Sequence, residues 1–299
     1  MEYVHFSGLD TDIKKQYDAK LVGILNKFMS ICEENNIRWY LAYGSCIGAI
    51  RHKGIIPWDE DIDICMPRPD YDRFVNLCHK IDMGDYELCI INETPGFFEH
   101  IVRMADKSSS VLFSIDRPYV SGIYIDLFPI DGAGDGHIEK NYNRFRRWQV
   151  VSHFSRSYFC KSQYIKWIKK GKILELLLAV STSVFRVFFQ RISLNKIERI
   201  IRKYSFDESE YVVFYEGRVY GMKNVIKKEW IQDTIFVPFE NVQARIPKYY
   251  HEYLTQLYGD YMTPPPVEKR DDRHVIDFLD LNRRVSIEEV KEKLYKANK

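Results

Sequence analysis

Apolar positions recur every three or four residues from Ile13 through Tyr17, Leu21, Leu25 and Phe28 to Cys32, the spacing of one buried face on an α-helix. Asp10 or Asp12 stands where its N-cap belongs, and Asn35-Asn36 where the chain must turn away. The period then shortens. Residues 38–43 read as a short strand that Gly44-Ser45 breaks, 46–51 as a brief helix and 52–58 as a loop. Over 60–66 acidic and apolar residues alternate, the pattern of a half-buried strand. Pro67 and Pro69 end it, and 70–81 is helical again. Strand-like runs follow at 86–91, 97–104, 111–115 and 123–130. From 137 to about 204 the chain changes to basic, aromatic helices with few turn signals. Short strands return at 211–215 and 234–239, then a helix at 248–258, and Pro264-Pro265-Pro266 makes a rigid break. The last helix opens at Ser286, where Ser286 and Glu289 form a capping box and Val285 can staple onto Val290. No internal repeat is present. This order predicts an α+β fold: a core over 1–136, a helical insert over 137–205, and a C-terminal region over 206–299 that completes the core domain with a helical part.

With 299 residues, 45% of them hydrophobic and 15% aromatic, the chain is long enough to bury a full enzyme-sized core, which excludes disordered, collagen-like and disulfide-scaffold classes. Its 44 basic and 42 acidic side chains nearly cancel. No global field would gather nucleic acid, so anion binding must come from local arrangement. The six cysteines are scattered without a C-x-x-C pair, several inside apolar runs, and read as reduced packing residues. Residues 1–10 lack a charged segment followed by an apolar one, so the expected location is the cytoplasm. One stretch, 173–189, is almost wholly apolar. Glu175 and Arg186 interrupt it, leaving an uninterrupted part of ten residues, 176–185, where a span needs about twenty. It reads either as a buried helix or as a helix lying on a membrane surface, flanked by Lys166, Lys169, Lys170, Lys172, Arg186 and Arg191.

The candidate chemistry lies in Trp58-Asp59-Glu60-Asp61-Ile62-Asp63-Ile64. On a strand, Asp59, Asp61 and Asp63 share one face, and Ile62 and Ile64 point into the core. Carboxylates so placed either lie on a solvated edge or hold a divalent cation, Mg²⁺ or Mn²⁺, which removes their repulsion. Gly44-Ser45, directly after a strand and opening a helix, presents backbone N–H groups suited to phosphate, and Gly48 allows close backbone approach. Arg51, His52 and Lys53 add cations just before the acids. Asp126, inside the apolar run Ile123-Tyr124-Ile125-Asp126-Leu127-Phe128, is costly unless paired or metal-bound and is the candidate third carboxylate. Asp131, before Gly132, reads as a turn residue.

A glycine-serine turn, a same-face acid pair and a third strand aspartate resemble the polymerase-β-like nucleotidyltransferase arrangement. The resemblance becomes specific over 43–64, Tyr-Gly-Ser-Cys-Ile-Gly-Ala-Ile-Arg-His-Lys-Gly-Ile-Ile-Pro-Trp-Asp-Glu-Asp-Ile-Asp-Ile, which is similar to the long signature block of the LicD family, related to fukutin-related protein. Shorter similar pieces lie at 125–131 and 258–265. The resemblance implies a nucleotidyltransferase core with a mixed sheet, and transfer of a substituted phosphate from a CDP-linked donor, with release of CMP, to a hydroxyl of a glycan or lipid-linked glycan such as a teichoic acid precursor. CDP-choline is the leading donor. CDP-ribitol or CDP-glycerol would use the same chemistry, and a catalytically silent glycan- or nucleotide-binding module is the contrasting reading. By the same resemblance, Asp61, Asp63 and Asp126 are metal-holding and catalytic, with Asp126 either completing the metal site or accepting the acceptor's proton. Gly44, Ser45, Arg51, His52, Lys53 and Trp58 are donor- and phosphate-binding. Trp58, Trp39, Tyr40 or Tyr43 could wall a choline ammonium. Arg103, Lys107, Arg273 and His274 are candidate phosphate or acceptor contacts, but read first as solvated or capping. No cysteine-histidine spacing suits zinc, which makes the chain more like the bacterial members. Contact with the inner membrane face is expected only through the basic insert.

Overall fold

The computed structural model describes residues 4–5, 9–113, 119–134, 136–156, 164–165, 168–215, 220–270 and 275–297. Two compact units emerge, one of residues 1–130 with 227–299 and the other of 131–226.

In the first unit, helix α1 (Thr11–Glu34) starts on the Asp10 carboxylate, which accepts the N–H groups of Asp12 and Ile13. It ends at Asn35, and Asn36 then takes a left-handed conformation at φ 51°. Tyr17, Leu21, Leu25, Phe28 and Cys32 are buried as the periodicity requires, while Ile13 at the helix start is exposed. The Phe28 ring meets Trp39 edge-on at 5.5 Å and Phe74 at 5.0 Å.

The sheet of this unit takes β2 (Tyr40–Leu41), β3 (Asp63–Pro67), β4 (Tyr86–Cys89), β5 (Val102–Asp106) and β7 (Tyr124–Gly132) in the order β2-β3-β7-β5-β4. β3 and β7 run parallel and the other pairs antiparallel, so the sheet is mixed and the fold α+β. Helices α2 (Tyr43–Arg51) and α3 (Arg68–Cys78) flank β3 along the chain. Strand β6 (Ser110–Leu112) pairs with β13 (Phe278–Asp280), and β1 (Val4–His5) with β12 (Val275–Ile276). After β9 (Val225–Lys227) and the short α7 (Glu229–Gln232), an antiparallel hairpin joins β10 (Thr234–Phe239) to β11 (Val242–Pro247), followed by α8 (Tyr250–Tyr258). The last helix, α9 (Ile287–Ala297), starts as expected: Ser286 Oγ accepts the Glu289 N–H at 3.2 Å, and Val285 and Val290 are buried in one cluster with Leu112 and Phe278. The Glu289 carboxylate takes Arg283 at 2.5 Å.

The second unit is mainly helical: α4 (Ile138–Arg156), α5 (Ile173–Val184) and α6 (Arg186–Ile201). Phe145 packs with Ile197, Ile200 and Ile201, and Phe154 with Ala179. The end of β7, Asp131–Gly132, pairs there with β8 (Tyr211–Val213).

Boundaries moved where local pattern is a poor guide. The strand expected over 97–104 is hydrogen-bonded only over 102–106, and that of 60–66 only over 63–67. β11 was not anticipated, although Val242, Ala244 and Ile246 alternate along it. Cys32, Cys46, Cys65, Cys78 and Cys89 are all buried thiols, and Cys160 lies outside the described residues.

Candidate active site

β3 begins at Asp63, yet the acidic segment already alternates before it: Asp59, Asp61 and Asp63 are half-buried while Glu60, Ile62 and Ile64 are buried. Two anchors hold this entry to the strand. Tyr17 Oη donates to the Glu60 carbonyl at 2.9 Å, and the Asp126 N–H donates to the Ile62 carbonyl at 2.9 Å. Asp63 is in register with Asp126 on β7, which is in register with Arg103 on β5. Residues abreast on neighbouring strands project to the same face. A row of Asp63, Asp126 and Arg103 therefore crosses three strands, with Asp61 two residues upstream on the same side.

One carboxylate oxygen from each of Asp61, Asp63 and Asp126 lies within 4.8 Å of the others. Mg²⁺ with oxygens at about 2.1 Å needs ligand atoms no more than about 4.2 Å apart across the ion, so small rotations bring the three onto one cation. Burial first, then the nearby charges of Asp63, Glu60, Asp59 and Asp126, raises the Asp61 pKa well above the ordinary carboxylate value, the condition a bound cation relieves. The three residues thus fit a hard divalent ion. Asp59 is outside the group, and its Oδ2 lies where a Cβ on Gly44 would be 2.6 Å away.

Asp126 is the buried aspartate that needed a partner. Arg103 Nε donates to its Oδ1 at 2.8 Å, and the guanidinium lies 3.9 Å from the centre of the Tyr124 ring. Arg103 was expected to be solvated or capping, and the structure corrects this. A guanidinium two strands from the acidic segment carries no sequence signal of its own, and only the register brings it to Asp126. Lys107 is exposed, and its Nζ donates to the Gly84 carbonyl at 2.7 Å in the turn before β4. Arg273 and His274 lie outside the described residues.

Helix α2 explains the glycine-serine turn. Ala42 is extended and Tyr43 left-handed at φ 46°, its N–H bonded to Tyr253 Oη at 3.2 Å. Gly44 and Ser45 therefore fall in the first turn. Ser45 Oγ accepts the Asp63 N–H at 2.8 Å, tying the helix start to the acidic strand. At the far end of α2, a Cβ on Gly48 would come within 2.5 Å of the Gly54 carbonyl, so the close approach expected of Gly48 is real.

The same end carries the cations. Arg51 donates to the Tyr261 carbonyl at 2.8 Å and lies 5.9 Å from the Trp58 ring centre, while Arg270 covers that ring at 4.4 Å. His52 meets Trp58 edge-on at 5.8 Å. Burial together with the mutual repulsion of Arg51 and Arg270 lowers the Arg51 pKa, and burial plus both arginines lowers that of His52. Cations clustered in this way form a place prepared for an anion. Arg270 was missed by the sequence reading. Its place beside Trp58 depends on packing of the 258–265 piece, to which Arg270 is tied through its own bond to the Pro265 carbonyl at 2.8 Å. Lys53 is exposed in a left-handed turn at φ 58°, and its carbonyl accepts the Glu240 N–H at 2.8 Å. Of the four aromatic candidates, Trp39, Tyr40 and Tyr43 are core residues, each under 5% exposed, and cannot wall a ligand. Trp58 is half-buried with a guanidinium over its ring.

Residues 36–170 match the family described as LicD/FKTN/FKRP, nucleotidyltransferase domain. The chain is 29% identical over 258 residues to the lipopolysaccharide cholinephosphotransferase LicD of Haemophilus influenzae, covering 85% of this chain and 93% of that one. A protein of Rickettsia prowazekii is 33% identical over 177 residues, half of this chain and 65% of its own length. The LicD resemblance carried by residues 43–64 is thereby borne out.

Proposed function

Starting from its LicD-family domain, we propose that this chain is a phosphocholine transferase, with a polymerase-β-like core, that moves phosphocholine from CDP-choline onto a sugar hydroxyl of a cell-surface glycan or of its lipid-linked precursor. The observation that carries the reading is the group of Asp61, Asp63 and Asp126, together with the similarity along 85% of the chain to a lipopolysaccharide cholinephosphotransferase. The buried thiols support a reducing compartment such as the cytoplasm.

In the proposed reaction the acceptor hydroxyl oxygen bonds to the distal phosphorus of the donor. The bond from that phosphorus to the bridging oxygen breaks, CMP leaves with the bridging oxygen, and the hydroxyl proton passes to a base. Asp61, Asp63 and the second oxygen of Asp126 would hold Mg²⁺ or Mn²⁺, which supplies positive charge against the pyrophosphate when bound. Arg103 holds the Asp126 carboxylate through its Nε–H, which leaves the other oxygen for the ion. Ser45 holds Asp63 through its backbone. Arg51 and Arg270, with His52 beside them, are the groups to neutralise CMP as negative charge grows on it. Lys53, exposed in its turn, would serve the donor only at the margin. Trp58 offers its ring edge and the covering guanidinium, and the choline ammonium pocket would have to be lined elsewhere.

Purified protein incubated with CDP-choline, CDP-ribitol or CDP-glycerol, with Mg²⁺ or with EDTA, tests the reading through CMP release and donor binding. Mg²⁺-dependent binding or turnover selective for CDP-choline is the expected result. Preference for a CDP-polyol would keep the site chemistry and overturn the substrate. No metal-dependent binding of any donor would overturn the enzyme reading in favour of a silent binding module.

A further inference from the structure

Helix α5 is built inside out for a water-exposed helix. Its outer stripe, spaced three and four residues apart, is Ile173, Leu177, Val180 and Val184, with Leu174 alongside, and these are 48–76% exposed. Its inner face carries Ala179 and Thr182, both fully buried. Phe185, Val187 and Phe188 continue the exposed apolar surface into the first turn of α6 at 60–77% exposure. Together they leave on the order of 900 Å² of apolar surface uncovered, against roughly 300–600 Å² for the largest patch on an ordinary monomer. The helix also satisfies its own hydroxyls. Thr182 Oγ1 donates to the Leu178 carbonyl at 2.6 Å, Ser183 Oγ to that of Ala179 at 2.7 Å and Ser181 Oγ to that of Leu178 at 3.1 Å, so none needs water as a partner.

Charge says what covers this face. Residues 137–205 hold 16 Lys and Arg against 3 Asp and Glu, in a chain where the totals are 44 and 42. Lys169, Lys170 and Lys172 stand exposed at the start of α5, and Arg191 is exposed one turn beyond Phe188. A bare apolar stripe bordered by cations is complementary to lipid tails beneath anionic headgroups, whereas a second copy of this basic surface would meet like charge. Twelve residues of α5 reach about 18 Å, short of the roughly 30 Å hydrocarbon core, and the axis bends by 104° between α5 and α6.

We propose that α5 and the first turn of α6 form an in-plane membrane anchor: the apolar stripe enters one leaflet, and the lysines rest on anionic phosphates. The inference is independent of the donor and of turnover. Its test is flotation of the full chain with phosphatidylcholine vesicles, with and without anionic phosphatidylglycerol. Binding to the anionic vesicles at low salt should exceed that to the zwitterionic ones at least tenfold and fall with added salt. Leu174→Gln with Leu177→Gln and Phe188→Gln, all exposed and so compatible with folding, should abolish flotation with an unchanged circular dichroism spectrum. Lys169→Glu with Lys170→Glu and Lys172→Glu should remove the preference for anionic lipid. Brominated lipid should quench a Phe185→Trp variant more than the parent. A chain that stays off anionic vesicles, flotation indifferent to the glutamine variant, or a dimer in light scattering that the glutamine variant dissolves would each overturn the proposal.

Discussion

Replacing Arg103 by Met isolates the row that crosses the sheet, because Met keeps the apolar stem and removes the charge. The Arg103 and Asp126 side chains are 15% and 9% exposed, so solvent screens their interaction little. Removing one partner of a buried ion pair costs about 3–5 kcal/mol, since the other charge stays buried without compensation. Here the stranded carboxylate also faces Asp61 and Asp63, which places the expectation in the upper half of that range. Arg103→Met should therefore lower the urea-unfolding free energy by about 4 kcal/mol. Arg103→Met combined with Asp126→Asn leaves no unpaired charge and should cost less than the sum of the single changes, with a coupling of about 2–3 kcal/mol. Excess Mn²⁺ should return part of the loss in Arg103→Met, where the carboxylates repel most, and little in the double variant. Urea titrations read by circular dichroism, with and without metal, give all of these values. A loss under about 1 kcal/mol in Arg103→Met, or strict additivity in the cycle, would refute the claim that Arg103 holds the site together.

The remaining expectations concern the two ends of α2 and the acids. Asp61→Asn and Asp63→Asn should each reduce Mn²⁺ binding, followed by its paramagnetic resonance, and phosphocholine transfer by about a hundredfold or more, while Asp59→Asn, whose carboxylate lies against Gly44, should cost less than tenfold; equal losses would mean that the wrong acids are grouped. His52 should titrate below the ordinary value near 6.5, because burial, Arg51 and Arg270 all disfavour its charged form. Its contribution to stability is then present above about pH 6.5 and lost as pH falls through the lowered value. Nuclear magnetic resonance of the ring should show Arg270→Gln moving that midpoint upward, and an unmoved midpoint would separate Arg270 from the cation cluster. Gly48→Ala would press a methyl against the backbone carbonyl of Gly54 and should cost about 1–3 kcal/mol, read as a lowered melting temperature; an unchanged value would show that the turn at 52–56 yields.

Much of the site could be read from the chain because its signals are local. The alternation of Asp59 to Ile64 fixes which side chains share a face, and it persists in the burial pattern ahead of the first residue of β3. Gly44, Ser45 and Gly48 follow from the steric needs of one short helix. What could not be read depends on long-range pairing. Arg103 reaches Asp126 only because β5 lies beside β7 in one particular register, and Arg270 reaches Trp58 only because 258–270 folds back over α2. The aromatic candidates fail for a related reason: Trp39, Tyr40 and Tyr43 look alike in sequence whether they line a pocket or fill a core, and here the core took all three. Helix α5 is the opposite case, where the sequence left burial and surface docking open and the exposed stripe now favours the surface.

The proposed cation also follows from a charge count across one sheet face. Asp61, Asp63 and Asp126 bring three negative charges when ionised, and the Arg103 guanidinium returns one. In the proposed reading, one divalent cation would offset the two negative charges that remain on this trio. Burial of Asp61, with Asp63, Glu60, Asp59 and Asp126 around it, pushes its pKa upward, and a cation would relieve that strain. A donor pyrophosphate would add negative charge that this balanced face cannot absorb alone. Arg51 and Arg270 would supply the compensating positive charge from the other end of α2, about 12 Å along an axis rising 1.5 Å per residue. Acids alone would hold a metal, and arginines alone would hold an anion. Joined by a nine-residue helix tied to Asp63 through Ser45 and to Tyr261 through Arg51, they make the combination suited to a metal-bridged diphosphate, and cutting either tie should weaken donor binding more than it weakens binding of Mn²⁺ alone.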